Sequence, residues 1–143
     1  MTTYHLRATG MVGALLPALL GAGVAAVGAD AVVRAGGPVA WAVLVVGLLG
    51  ALAWLRLPWA LRLDPAAGTV VFLGPLRRTA VPAEQIAAIS GSWTGGMNRW
   101  FLASVWVQRA DRRLGFPLLS GFRDPEQVRD DLLQLNPSIR MQS

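Results

Sequence analysis

The chain has 143 residues, of which 54% are hydrophobic and 15% charged, whereas a typical soluble domain is about 25% charged. Its 13 basic residues are all Arg, set against 8 acids and a single His, for a net charge of +5. With no Cys, the chain excludes a disulfide framework, a thiolate nucleophile and Cys-ligated zinc or iron–sulfur sites. His5, in a terminus expected to fray, leaves little imidazole chemistry. The charge is segregated: residues 1–55 hold only Arg7, Asp30 and Arg34, and every other charged residue lies in 56–143.

Residues 8–29 are 22 consecutive uncharged positions, and a second uncharged run extends from Ala35 to Leu55. A helix of about 20 apolar residues crosses a hydrocarbon core of about 30 Å. The expected spans are about 10–31 and 39–59. Gly36-Gly37-Pro38 between them is a stop-and-turn signal, with Pro suited to the first turn of the next helix. So short a connection predicts an antiparallel hairpin, dividing the chain into a transmembrane hairpin, 1–59, and a cytoplasmic domain, 60–143. A cleaved leader is the competing reading of the first segment, but its apolar region would be shorter and its start more basic.

Arg7 precedes the first span, Arg34 lies in the connection, and Arg56, Arg62, Arg77 and Arg78 follow the second. The positive-inside rule therefore puts both termini in the cytoplasm and the Gly-Gly-Pro turn outside. Trp54 and Trp59 suit the inner interface and Trp41 the outer one. Asp30 and Arg34 are spaced for an i,i+4 pair near the outer end.

Ala14, Ala18, Ala22 and Ala26 form a small-residue stripe at four-residue spacing. Such a face permits close helix approach in lipid. Two readings stand: a contact face for another membrane protein, or packing against residues 39–55.

In the domain, Trp59–Leu63 and Thr69–Leu73 flank the turn Asp64-Pro65-Ala66-Ala67-Gly68 and predict a β-hairpin. Further strands are expected at Leu76–Val81, Ile86–Trp93, Phe101–Gln108 and Arg113–Leu119. In Phe101–Gln108 the alternation puts Val105 and Val107 on one face and Trp106 and Gln108 on the other. Asp124-Pro125-Glu126-Gln127 has the pattern of a capping box opening a terminal helix, with Val128, Leu132 and Leu135 on one face. Asn136-Pro137 ends it.

Two spans feeding Leu61-x-Leu63…Gly68-x-Val70…Arg77-Arg78-x-x-Val81-Pro82-x-x-Gln85-Ile86-x-x-Ile89 resemble the bacterial membrane proteins that carry pleckstrin-homology-like domains. Val105-x-Val107, Arg113-x-Gly115-Phe116 and the Asp124-Pro125 helix add to the resemblance. It implies a small antiparallel β-barrel or strongly bent sheet capped by the C-terminal helix, in a multi-pass protein of the bacterial cell membrane. It implies binding or scaffolding without enzymatic activity, and brings no fixed ligand residues.

The glycines of Gly91–Gly96 lack a Walker A lysine and a following long helix, so they do not make a nucleotide site. Glu84, Asp111, Asp124 and Glu126 fall in turns or caps, which leaves no catalytic residue, metal site or cofactor to assign. No nucleic-acid motif accompanies the Arg residues.

Two surfaces remain. Trp93, Met97, Arg99 and Trp100, in the Ser92–Trp100 loop, are of types enriched in interface cores; they serve either a partner contact or a cap on the domain. Arg56, Arg62, Arg77 and Arg78 suit an anionic leaflet or form an ordinary solvated face. The expected function is a non-enzymatic accessory or scaffolding subunit beside a larger integral membrane protein. The alternative is a sensor of lipid headgroups or small ligands.

Overall fold

The computed structural model describes residues 1–91, 104–119 and 121–142. The first surprise is at the N-terminus, where the expected frayed segment is a strand, β1 (Thr2–His5). It pairs antiparallel with β2 (Ala60–Asp64), from Thr2↔Leu63 to His5↔Ala60. Between these adjacent strands the chain leaves the sheet and makes two helices, α1 (Ala8–Arg34) and α2 (Pro38–Leu55). The helical hairpin is therefore an insertion into a β-ladder, and the sheet includes residues on both sides of it.

Both helices are long and apolar enough to cross a membrane, a property that leaders and core helices of water-soluble proteins share. Helix α1 extends beyond the expected 10–31 to Arg34, whose Nε donates to Asp30 Oδ1 over 2.9 Å one turn earlier. Helix α2 starts with Pro38 in its first turn. It stops at Leu55, short of the expected 59, because Leu57 precedes Pro58, and a residue before proline is pushed out of helical geometry.

The helices meet along Ala14, Ala18, Gly21, Ala25 and Gly28 on α1, and along Ala40, Leu44, Gly47, Ala51 and Trp54 on α2. These are steps of four and three residues, the heptad spacing of a left-handed packed pair. A Cβ on Gly21 would stand 2.9 Å from Ala51 N, and one on Gly28 would overlap the backbone of Leu44. Helices this close need glycine at the crossing. Near the base of the hairpin, the Trp54 indole Nε1 donates to the Ala14 carbonyl at 2.5 Å.

In the first sheet, β2 pairs with β3 (Thr69–Leu73), and β3 with β4 (Arg78–Pro82). The β2–β3 turn is closed by Gly68 at φ 59° and by Ala67 N donating to Asp64 Oδ1 at 3.2 Å. A single 3₁₀ turn, Ala83–Gln85, then leads to β5 (Ile86–Ser90). β5 lies between β6 (Ser104–Arg109), antiparallel, and β8 (Arg140–Gln142), parallel. β7 (Phe116–Leu119) completes this sheet on the outer side of β6. Helix α3 (Pro125–Leu135) connects β7 to β8.

The strand order is thus β1-β2-β3-β4 in one sheet and β7-β6-β5-β8 in the other. Among the described residues these are two separate open sheets of four strands, which overturns the bent sheet or small barrel implied by the pleckstrin-homology-like resemblance. The parallel β5–β8 pair also departs from the expected antiparallel arrangement. Leu61, Leu63, Val70 and Phe72 of the first sheet share one core with Ile89, Val105 and Val107 of the second and Val128 and Leu132 of α3. Within β6, Val105 and Val107 are buried while Trp106 and Gln108 are exposed, as the alternation predicts. Asp124 occupies the N-cap of α3, but its side chain makes no capping hydrogen bond, so the expected capping box is not formed.

Candidate functional site: an arginine-rimmed cavity at the helix exit

The chain emerging from α2 is held by the first sheet within a few residues. Arg56 is the C-cap of α2. Leu55 O accepts from Leu76 N at 3.3 Å, and Trp59 N donates to Leu73 O at 2.7 Å. The β3–β4 turn thereby satisfies a carbonyl that the end of the helix leaves without an intrahelical partner. Gly74 makes this approach possible, because a Cβ there would lie 2.6 Å from Leu57 O. Its N–H closes the turn onto Arg77 O at 2.8 Å. The second sheet is tied to the same place by Leu119 N donating to Pro58 O at 3.2 Å.

Where the helix exit and the two sheets meet there is a cavity of about 610 Å³, within the range of about 300–1,000 Å³ usual for small-ligand sites. Its apolar lining comes from Leu57, Pro58, Phe72, Phe116 and Pro117. The rings of Phe72 and Phe116 meet edge to face, with centroids 4.8 Å apart and planes at 85°. Its basic lining comes from Arg56, Arg77, Arg109, Arg112 and Arg113. Gly115 lets the loop before β7 lie against β6, since a Cβ there would overlap Val107 O and Trp106 Nε1.

The five guanidiniums are not equivalent. Arg109 is clamped by Asp111, with Nε to Oδ1 at 2.8 Å and Nη2 to Oδ2 at 2.6 Å, and Nη2 also reaches Gln85 Oε1 at 3.1 Å. That hydrogen-bonded pairing holds the Asp111 carboxyl below its usual range. Arg56, Arg77, Arg112 and Arg113 form no salt bridge and no side-chain hydrogen bond among the described residues, although Arg112 also acts on Asp111 through space. The cavity thus joins apolar side chains to four arginines that no salt bridge holds among the described residues. Such a site can take an anion attached to an apolar body.

The expected site residues divide accordingly. Arg56 and Arg77 line the cavity. Arg62 does not, and its Nε donates to Thr3 Oγ1 across the β1–β2 ladder at 3.1 Å. Arg78 is exposed on β4 outside the cavity. Ala14 and Ala18 are buried, whereas Ala22 and Ala26 are exposed. A four-residue step advances about 40° beyond one turn, so that stripe rotates off the seam that the heptad spacing follows. Trp93, Met97, Arg99 and Trp100 lie outside the described residues.

Sequence reasoning places Arg113 at the start of a strand and gives Arg109 and Arg112 no site role. Their close spacing was visible in the sequence, but their proximity to Arg56 and Arg77 depends on the two sheets meeting. Among the described residues no group of three or more His, Cys, Asp or Glu side chains could hold a metal ion. No family model matches the chain, nor does any curated protein or solved structure.

Proposed function

We propose that the chain is a two-span membrane protein that works by binding at the bilayer surface, as a non-enzymatic accessory module with both termini in the cytoplasm. The observation that carries this reading is the outer surface of the hairpin. Leu16, Leu19, Leu20 and Val27 on α1 and Val46 and Leu49 on α2 are all at least 56% exposed, and Leu20 and Leu49 exceed 60%. A helix pair that is apolar all round, with only its seam buried, matches hydrocarbon better than water. At 18 residues, α2 is about 27 Å long, close to the thickness of a bilayer core.

The ladder between β1 and β2 puts both ends of the hairpin on one side, together with the folded domain. Arg7, Arg56 and Arg77 are on that side, whereas Arg34 at the far end is paired with Asp30 at 2.9 Å. The positive-inside rule then favours a cytoplasmic domain. A role in binding is supported by the structural use of several acidic groups: Asp30 with Arg34, Asp111 with Arg109, and Asp131 with the Tyr4 hydroxyl.

The absence of Cys makes the topology directly testable. Gly36→Cys in the connection should react with an impermeant maleimide in intact cells, and Gln142→Cys only after lysis. The reverse pattern would overturn the orientation, and release of the protein by alkaline carbonate would overturn membrane insertion. Co-purification at fixed stoichiometry with an integral membrane protein in mild detergent tests the accessory role. A solitary chain under every gentle condition would count against it.

A further inference from the structure

We propose that the cavity at the helix exit binds a phosphate monoester carried on an apolar chain, an anionic amphiphile entering from the bilayer. The inference rests on the membrane-anchored reading and gives it a ligand. Three observations carry it.

The cavity wall begins with Arg56, Leu57 and Pro58, the residues that immediately follow the second apolar helix. A headgroup at the bilayer surface and the cavity are therefore at the same level. The lining is mixed, with Phe72, Phe116 and Pro117 offering apolar surface beside the five arginines. A ligand that is only an ion would leave that apolar surface unused, and one that is only hydrocarbon would leave the cations unanswered.

The charge selects within the anionic amphiphiles. Arg56, Arg77, Arg112 and Arg113 come from three separate segments and form no salt bridge among the described residues. A phosphate monoester brings a charge of about −1.5 to −2 and three terminal oxygens, each able to accept from a guanidinium fork. A diester offers one negative charge and two such oxygens. Four forks from three segments fit the former better.

The test uses the full chain purified in a neutral detergent, titrated calorimetrically with three probes: dioctanoyl phosphatidic acid, dioctanoyl phosphatidylglycerol and inorganic phosphate. The monoester lipid should bind at one site, at least about tenfold more tightly than the diester of equal chain length, the difference expected from one lost charge-assisted contact. Inorganic phosphate should bind more weakly still. The double variant Arg77→Gln/Arg113→Gln should lose at least about tenfold in affinity for the monoester lipid. The remote double variant Arg129→Gln/Arg140→Gln should stay within about twofold of the parent chain.

Unchanged thermal unfolding of both variants separates loss of binding from loss of fold. If Arg77→Gln/Arg113→Gln unfolds, Arg112→Gln alone takes its place with the same requirement. Equal binding of monoester and diester, or an undiminished cavity variant, would overturn the proposal. Inorganic phosphate binding as tightly as the lipid would overturn the amphiphile in favour of a free phosphate. Carbonate extraction of the membranes before solubilisation reports anchoring independently, so failure of the ligand and failure of the anchor are distinguishable.

Discussion

Gly47 and Ala25 meet backbone to backbone: a Cβ on Gly47 would overlap Ala25 N and lie 2.8 Å from Ala25 Cα. Gly50, one turn further along the same helix, has nothing within 4 Å of the corresponding position. Composition treats these glycines alike, and the structure separates them. Gly47→Ala should force the helices apart and destabilise the hairpin by about 1–3 kcal/mol, the usual penalty for overpacking. Gly50→Ala should be neutral or stabilise by about 0.5–1 kcal/mol through helix propensity. Unfolding in detergent checks the pair, and equal effects would refute the seam.

The Tyr4 hydroxyl donates to Asp131 Oδ2, joining β1 to α3 across most of the chain. Burial, followed by the bond to Asp131, pushes the Tyr4 pKa from 10.0 up to about 12. The folded state thus favours the neutral phenol. Its contribution is fully present below pH 10 and is lost as pH rises from about 10 to about 12. Tyr4→Phe should cost about 1–3 kcal/mol at pH 8, as loss of a hydrogen bond to a charged group does. It should also remove this part of the alkaline loss, which thermal melts at pH 8 and pH 11.5 would reveal.

Asn136 is 9% exposed, and its Nδ2 donates to Ala83 O at 2.8 Å while its Oδ1 accepts from Ser138 N at 3.0 Å. One side chain thereby ties the end of α3 to the turn between the two sheets. Asn136→Ala would leave polar backbone groups without their partner and should cost about 2–3 kcal/mol. Asn136→Asp should fare little better, since it loses the donor. Denaturant midpoints of the two variants provide the measurement.

Asp111 restrains one of the five cavity arginines. Asp111→Asn leaves Arg109 without its carboxylate and should strengthen binding of dioctanoyl phosphatidic acid by about two- to fivefold, a magnitude typical of one exposed ion pair. Lowering the pH through the depressed Asp111 range should release Arg109 in the same direction, although protonation of the ligand works against it. The substitution at neutral pH is therefore the cleaner measurement, and unchanged affinity would remove Arg109 from the site.

The parts of the fold legible in the sequence are those with local causes. Uncharged runs, Gly-Gly-Pro and the i,i+4 pair are enough to expect the hairpin, and alternation at Val105 and Val107 gives the inner face of β6. β1 was not legible because Thr2–His5 is too short to show a pattern, and its partner lies beyond both helices. The separation into two sheets was hidden for a related reason: strands beside one another in sequence need not share a ladder, and β8 joins β5 in parallel only after α3. Two of the five cavity arginines, Arg56 and Arg77, were visible. The other three required knowing that Leu119 N would reach Pro58 O.

The β1–β2 ladder also constrains assembly. Synthesis yields β1 first, and β2 only after two helices have been made, so β1 must wait for its partner. On the proposed two-span reading, β1 and β2 end on the same side of the bilayer when both helices cross and on opposite sides when only one does. A chain whose second helix failed to cross would strand Thr2–His5 on one face and Leu61 and Leu63 on the other, with a core edge uncovered. Completion of the sheet thus depends on correct insertion of both helices, and a chain with only one helix across would leave the β1 side of β2 unpaired.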